Sequence, residues 1–273
     1  MKTKIMDKTG KEKASIELPE IFATKIRSDI LLKVFEAQKG IFRQSYGTMF
    51  GAGAGYSASG LIKHRRHVWK GGYGKGISRV PRKIMSRHGA SFNWIGATVT
   101  SARGGRAAHP PKPAKEYYKK INKKENAIAF GSGLAGTVDS NSIEKKYGEK
   151  LNSGFIFSSD VLALKTKEFF GLLKNTLGEN TLDKALKNKS LRAGKGKRRG
   201  RKYKTSAGLL FVVASKEDMK RAGVDVVKVN KLMIRDLAPN GNAGRLACYT
   251  ENAIAEIGAK FDEKKKIVKG SKE

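Results

Sequence analysis

Acidic residues are scarce in this 273-residue sequence: 24 Asp and Glu stand against 57 Lys and Arg, a net charge of +33. They are also unevenly spread, with none in residues 37–115 and none in residues 184–204. An excess of this size is far beyond what solubility requires. It points to a polyanionic partner, nucleic acid first and an anionic membrane surface second. The single cysteine, Cys248, excludes a disulfide within the chain and argues against a cysteine-based zinc site. No apolar run is long enough to span a bilayer, and Met1-Lys2-Thr3-Lys4 opens no signal-peptide core. No amphipathic helix with one basic and one apolar face stands out. A soluble intracellular protein without a membrane partner is the expectation. There is no Ser-His-Asp set with interpretable spacing and no carboxylate pair in a context that suggests catalysis.

What the sequence does have is a basic excursion. Residues 43–109 hold 12 Lys or Arg, 13 Gly, 7 aromatic residues, all four His and both Trp, with no acid. No sustained period of 2 or 3.6 runs through it, so nothing in it is expected to bury one face of a helix or strand. Long loops without a core are uncommon in compact domains unless functional or disordered, and disordered linkers are poor in aromatics. Aromatics combined with one sign of charge suit a segment ordered by RNA: cations meet phosphates, rings stack on bases, and glycine lets the backbone approach. A flexible basic loop with no fixed path is the alternative.

Around the excursion, periodic structure reads as α/β. A hairpin is expected from residues 2–6 and Ile16-Glu17-Leu18, then a helix capped near Ser28-Asp29 with Ile30, Leu31, Val34, Phe35 and Ile41 or Phe42 as its apolar residues. After His109-Pro110-Pro111, a helix follows Asn122, with Ala127, Ile128, Phe130, Leu134, Ala135 and Val138 as its face. Residues 155–157 read as a short buried strand, residues 159–177 as a helical region and residues 181–186 as a second helix. A second basic block spans residues 184–204, with 11 Lys or Arg in 21 residues. Strands are expected at residues 208–213, 224–229 and 246–249, and helices at residues 217–222, 232–234 and 251–261. Strands separated by helices predict a globular α/β domain with a mainly parallel sheet flanked by helices, plus a long extended basic internal loop. The predicted organisation is a discontinuous globular domain (residues 1–42 and 110–261), the loop (43–109) and a basic C-terminal tail (262–273).

Gly131-Ser132-Gly133-Leu134-Ala135-Gly136 matches G-x-G-x-x-G, with Asp160 24 residues on. The preceding Asn122-Lys-Lys-Glu-Asn126 looks like a helix start rather than a strand, so three small residues in a packed helix are favoured over a dinucleotide loop. Gly51, Gly53 and Gly55, and Gly72, Gly74 and Gly76, do not fit a P-loop; backbone mobility or close approach to RNA explains them. His64 and His67 are three apart, but Arg65, Arg66 and Lys70 would repel a metal cation and no Cys or carboxylate is near. Cys248 reads as a small buried hydrophobe.

Four stretches resemble a known family, the universal large-subunit ribosomal protein four in its archaeal and eukaryotic form. They are Leu18-Pro19-Glu20-Ile21-Phe22 with Ile26-Arg27-Ser28-Asp29; Gly74-Lys75-Gly76-Ile77-Ser78-Arg79-Val80-Pro81-Arg82 with Gly104-Gly105-Arg106-Ala107-Ala108-His109-Pro110-Pro111; the block from Leu191 to Tyr203; and the run from Asp236 to Leu246 with Thr250-Glu251-Asn252-Ala253. The resemblance implies no enzymatic activity, no small-molecule substrate and a place in the cytoplasmic ribosome; it puts Gly131 to Gly136 within a helix, which removes the cofactor reading, so that no cofactor is expected. It implies a globular domain on the outside of the large subunit and a long loop threading into large-subunit rRNA. The loop tip would stand at the wall of the nascent-peptide exit tunnel, near the twenty-second large-subunit protein. Where the family usually has Gly-Thr-Gly-Arg near the tip, this chain has Gly72-Tyr73-Gly74-Lys75.

The residues expected to meet rRNA are Arg43, Arg65, Arg66, Lys70, Lys75, Arg79, Arg82, Arg87, Arg103 and Arg106 in the loop. In the second block they are Arg192, Lys195, Lys197, Arg198, Arg199, Arg201 and Lys202. Arginine grips phosphate bidentately and stacks on bases, so the arginines weigh more. Trp69, Tyr73, Phe92 and Trp94 are base-stacking candidates, with packing inside the loop as the alternative for each. Gly72, Tyr73, Gly74 and Lys75 are the candidates for the tunnel tip. Two other classes are distinguishable by experiment: a dinucleotide-dependent enzyme with basic insertions would bind cofactor, and a general chromatin-type binder would take duplex DNA as readily as rRNA.

Overall fold

The computed structural model describes residues 2–270 apart from 57, 59–61, 150 and 152–154, and only the backbone of residues 262–270. In chain order the elements are β1 (Lys2–Met6), β2 (Glu12–Glu17), α1 (Ser28–Ile41), β3 (Arg82–His88), β4 (Ser91–Gly96), α2 (Lys123–Val138), α3 (Ser140–Tyr147) and β5 (Phe155–Phe157). There follow α4 (Thr166–Leu177), α5 (Glu179–Ala185), β6 (Lys189–Leu191), β7 (Tyr203–Thr205), β8 (Leu210–Val213), β9 (Asp225–Lys228), α6 (Ile234–Leu237), β10 (Ala247–Thr250) and α7 (Glu251–Gly270). The chain divides into two compact units, Met1–Phe42 with Tyr117–Glu273, and Arg43–Glu116.

The first unit is built on a six-stranded sheet in the order β2-β1-β5-β10-β8-β9, parallel except for the β1–β2 hairpin. Its central strands read as continuous apolar runs because both faces are covered. On one face Ile5, Ile156, Leu210, Val212 and Tyr249 pack against Leu134 and Val138 of α2 and Ile254 and Ile257 of α7. On the other, Phe155, Phe157, Phe211, Val213 and Cys248 meet Ile143 of α3 and Phe169, Leu172 and Leu173 of α4. Each fully buried side chain of this size contributes about 1.5–3 kcal/mol. Tyr249 is buried end to end, its ring edge-on to Phe22 at 5.6 Å and its hydroxyl 2.8 Å from Thr137 Oγ1. The α/β fold with a mainly parallel, helix-flanked sheet is the one expected.

Helix ends follow local chemistry. Asp139 Oδ2 accepts from Ser142 N at 3.1 Å to start α3, and Gly148, at φ 79°, ends it. Glu168 accepts from Lys165 N at 3.3 Å to open α4, whose Phe169, Leu172, Leu173 and Leu177 form the inward stripe.

Several expectations are corrected. Residues 217–222 form no helix: Glu217 accepts from Ala214 N (2.9 Å), Thr250 Oγ1 (2.7 Å) and Asn252 Nδ2 (2.8 Å), and Arg221 donates to the carbonyls of Leu162 and Leu164. These side chains tether the segment to its neighbours instead of supporting a local helix. The helix expected from residue 251 to 261 continues to Gly270, because Asp262-Glu-Lys-Lys-Lys is a run of residues that tolerate helix and nothing breaks it before that glycine. Residues 271–273 of the expected tail lie outside the described residues. In α2 the buried stripe passes through Ala129, Gly133 and Gly136, and Ile128 is exposed. The glycines of the G-x-G-x-x-G match lie mid-helix. A Cβ on Gly133 would stand 3.3 Å from Leu237, and one on Gly136 only 2.6 Å from Ala243. They let neighbouring chain approach the helix and form no phosphate loop.

Candidate nucleic-acid interface

The second basic block is an ordered hairpin. β6 and β7 pair with Leu191 opposite Tyr203, and Arg192 N donates to Lys202 O at 2.9 Å. Between the strands Lys195–Arg199 winds into a 3-10 turn, entered at Gly194 (φ 73°) and left at Gly200 (φ 77°), with Arg201 N donating to Gly196 O at 3.1 Å. Two glycines in the left-handed region make this sharp reversal possible. Lys195, Lys197, Arg198, Arg199, Arg201 and Lys202 are all exposed, as is Arg192, whose Nη2 reaches Tyr203 O at 3.4 Å. The block holds no carboxylate of its own, so the mutual repulsion of these cations is relieved by water and counterions or by an anionic partner.

The other unit, Arg43–Glu116, carries a fold that the absence of periodicity hid. β3 and β4 form an antiparallel hairpin with an irregularity between Ile84 and Ser86. Phe92 lies edge-on to Trp69 (5.3 Å between centroids) and to Trp94 (5.1 Å), and Trp69 Nε1 donates to Ala90 O at 3.2 Å. This narrows the expectation that nothing in the excursion buries a face: Phe92 and Trp94, two apart on β4, share a half-buried face. Cations cover rings throughout the unit. Lys70 Nζ sits 4.4 Å from the Trp69 centroid, the Arg87 guanidinium 5.7 Å from the same ring, and Lys83 Nζ 3.6 Å from Tyr56. Arg79 lies 5.3 Å from the Tyr73 ring and donates to its hydroxyl at 3.3 Å. Arg43 lies 5.7 Å from Tyr46.

Residues 63–71 close a loop in which Lys63 N donates to Lys70 O at 3.0 Å, with His67 (φ 57°) and Lys70 (φ 63°) in the left-handed region. Such backbone costs on the order of 1–3 kcal/mol per residue and persists only when its surroundings hold it. Arg65 and Arg66 are exposed on this loop, and Lys75, Arg79, Arg87, Arg103 and Arg106 are exposed beyond it. Among the glycines, a Cβ on Gly53 would stand 2.4 Å from Arg106 Cα, and one on Gly47 2.5 Å from the Pro113 ring. The ingoing and outgoing arms thus lie against each other, and glycine is needed there for chain packing.

The structure adds detail to three site expectations. Arg82 is buried: its Nη2 donates to Ser78 O at 2.6 Å, its guanidinium lies 5.3 Å from the Trp94 ring, and its Nε has no hydrogen-bond partner among the described residues. Phe92 packs edge-on against both Trp69 and Trp94, the packing alternative for these rings, while Trp69 and Tyr73 remain exposed and Arg79 lies over the Tyr73 ring. Among the tip candidates Gly72 is buried against Ile62, whereas Tyr73, Gly74 and Lys75 are exposed. Sequence reasoning missed the exposed cross-strand pair Leu191 and Tyr203; the alternation flanking the second block was the signal for it.

Comparison with known proteins supplies the family. The model of the Ribosomal protein L4/L1 family matches residues 16–260. The chain is similar to the large ribosomal subunit protein uL4 of Nanoarchaeum equitans, at 39% identity over 251 residues, covering 89% of this chain and 92% of the relative. It is 35% identical over 265 residues to the protein of that name from Methanococcoides burtonii, covering 94% of this chain and 98% of the relative. With that of Thermoplasma acidophilum the identity is 35% over 264 residues, covering 94% and 97%.

Proposed function

The chain belongs to the ribosomal protein L4/L1 family, a structural component of the large ribosomal subunit and no enzyme, and we propose that it acts by binding large-subunit rRNA through its two acid-free basic regions. The excursion of residues 43–109 reaches the wall of the nascent-peptide exit tunnel, close to the twenty-second large-subunit protein. The cations neutralise phosphates brought together in folded RNA, where free ions alone do not hold one conformation. Arg65, Arg66, Lys70, Lys75, Arg79, Arg87, Arg103 and Arg106 act along the excursion. Arg192, Lys195, Lys197, Arg198, Arg199, Arg201 and Lys202 act in the hairpin. The observation that carries this reading is the exposure of dense cation runs in segments without a single carboxylate.

The test is a photo-reactive residue placed at the exposed Lys75 in assembled subunits. Cross-links to large-subunit rRNA and to a stalled nascent chain are expected. Cross-links confined to this chain's own sheet-bearing unit would overturn the tunnel reading. Failure of the protein to sediment with large subunits would overturn the whole.

A further inference from the structure

We propose that the buried Arg245, with the half-buried Asp225 and the exposed Lys187, forms the root of the basic hairpin, and that the three are positioning residues that fix how β6–β7 presents its cations to RNA. The proposal rests on the rRNA reading above. The hairpin cannot fix its own direction: β6 and β7 have three residues each, all exposed, and an isolated two-stranded hairpin is marginal in water. Something at its base must hold it, and the structure shows what.

Arg245 is 3% exposed. Its Nη2 donates to Ala207 O at 2.7 Å and to Asp225 Oδ2 at 2.6 Å, its Nε to Gly208 O at 2.9 Å and its Nη1 to Asp236 O at 2.5 Å. Ala207 and Gly208 are the outgoing stem just after β7. The other carboxylate oxygen of Asp225 accepts from Lys187 Nζ, on the ingoing stem just before β6. One carboxylate on the edge strand β9 thus joins both stems. The stems also touch directly: a Cβ on Gly208 (φ 74°) would stand 2.6 Å from Lys187 Cγ. Burial alone would raise the carboxyl of Asp225, but hydrogen bonds from Lys187 and Arg245 hold it below the usual range. The group stays charged and keeps both partners. Holding the stems in advance lowers the ordering cost that binding would otherwise meet.

Charge and position make opposite predictions for Asp225→Asn. The substitution removes a negative charge, so net electrostatics alone would tighten RNA binding. A loosened root weakens it. The experiment uses the full chain and purified large-subunit rRNA, over a salt series. We expect Asp225→Asn to bind about tenfold more weakly, with the log-log salt slope smaller by about 2, the loss of two or three contacts at about 0.7–0.9 each. A second variant adds N188C and S206C, at the pair that continues the β6–β7 register, where Ser206 N donates to Asn188 O at 3.2 Å. Its oxidised form is expected to restore affinity and slope. Equal or tighter binding by a folded Asp225→Asn, or no recovery on oxidation, overturns the proposal. Should Asp225→Asn not fold, Lys187→Gln serves: a slope change above the single contact its own charge can supply supports the root, and one contact or less overturns it. If the parent chain shows no salt-dependent rRNA binding, the functional reading fails instead.

Discussion

The two basic regions carry the same sign of charge and no acid, yet they are built in opposite ways. In the Arg43–Glu116 unit several cations lie over rings, Lys70 and Arg87 on Trp69, Arg82 on Trp94, Lys83 on Tyr56 and Arg79 on Tyr73, while Arg65, Arg66, Lys75, Arg103 and Arg106 stand exposed. In the β6–β7 hairpin Lys195, Lys197, Arg198 and Arg199 stand exposed on a 3-10 turn, and Lys202 alone lies over a ring, 5.5 Å from Tyr203. A cation held against an aromatic face has part of its charge spent inside the protein and its direction fixed. A cation on an open turn has neither. Equal composition therefore supports two kinds of RNA contact, one through a preformed surface and one through charge that tracks phosphate.

The largest expected effect separates these. Replacing Arg198, Arg199 and Arg201 together by Gln should weaken rRNA binding and lower the log-log salt slope by roughly 2 to 3, at about 0.7–0.9 per contact. Replacing Arg79, Arg82 and Arg87 by Gln should lower it by less, although the same number of charges is lost, because Arg82 is buried and the other two lie against rings. Binding measured across a salt series compares the two triples directly. Equal slopes would erase the distinction.

A second, smaller effect concerns what holds the excursion. Phe92 touches both Trp69 and Trp94, so Phe92→Ala should loosen the β3–β4 hairpin by about 1–2 kcal/mol, less than a fully buried Phe→Ala because the ring is half-exposed. Amide exchange in the free full-length protein would register it in β3 and β4, with the six-stranded sheet unchanged. Exchange in β3–β4 that is already unprotected in the parent protein would show that RNA, not the ring cluster, orders this segment.

That ring cluster also marks where the sequence was hard to read. The sheet was legible because Phe155-Ile156-Phe157 and Leu210 to Val213 are unbroken apolar runs bounded by turns. In β4 the alternation lasts only for Phe92 and Trp94, and composition does not say whether an aromatic faces a base or another ring. Helix α3 was missed because it buries a single apolar residue, Ile143. The cations of both candidate regions were legible as charge. Arg245 was visible only as part of a family motif, since its partners lie 9 to 38 residues away and no spacing rule connects them. Local signals report elements; the ties between distant segments appear only in the fold.

Acid should act on one side of the comparison alone. Between pH 5 and 2 the excursion of residues 43–109 and the hairpin have no carboxylate to titrate, whereas the sheet-bearing unit does. Glu256 is the clearest case. Burial would raise its carboxyl, but Lys260 Nζ at 2.7 Å, the Ser215 hydroxyl and Ser215 N at 2.8 Å bring it down to about 2. A depressed carboxyl stabilises the fold fully above its unfolded value, near 4.5, and loses that contribution as pH falls toward about 2. The thermal stability of the sheet should therefore fall steadily as the pH drops through this window, while amide protection in β3–β4, corrected for intrinsic exchange, should not. Glu256→Gln should flatten the acid limb for the sheet. A parallel loss in β3–β4 would mean that the excursion depends on the sheet for its order.

The smallest effect tests whether a ring face or a hydroxyl secures the turn around residues 73–79. Arg79 meets Tyr73 twice, over the ring at 5.3 Å and at the hydroxyl at 3.3 Å. The hydrogen bond is long for an N–H to oxygen contact and is exposed, so water replaces it at little cost. The ring contact does not depend on the hydroxyl. Tyr73→Phe should accordingly change the local opening of this turn by about 0.5 kcal/mol or less, and Tyr73→Ala by about 0.5–1 kcal/mol, the usual worth of an exposed cation–π pair. Amide exchange at residues 74–79 of the free protein distinguishes them. If Phe and Ala perturb the turn equally, the hydroxyl is what holds it. The rule that cations in this unit are placed by ring faces would then fail at the position nearest the proposed tunnel tip.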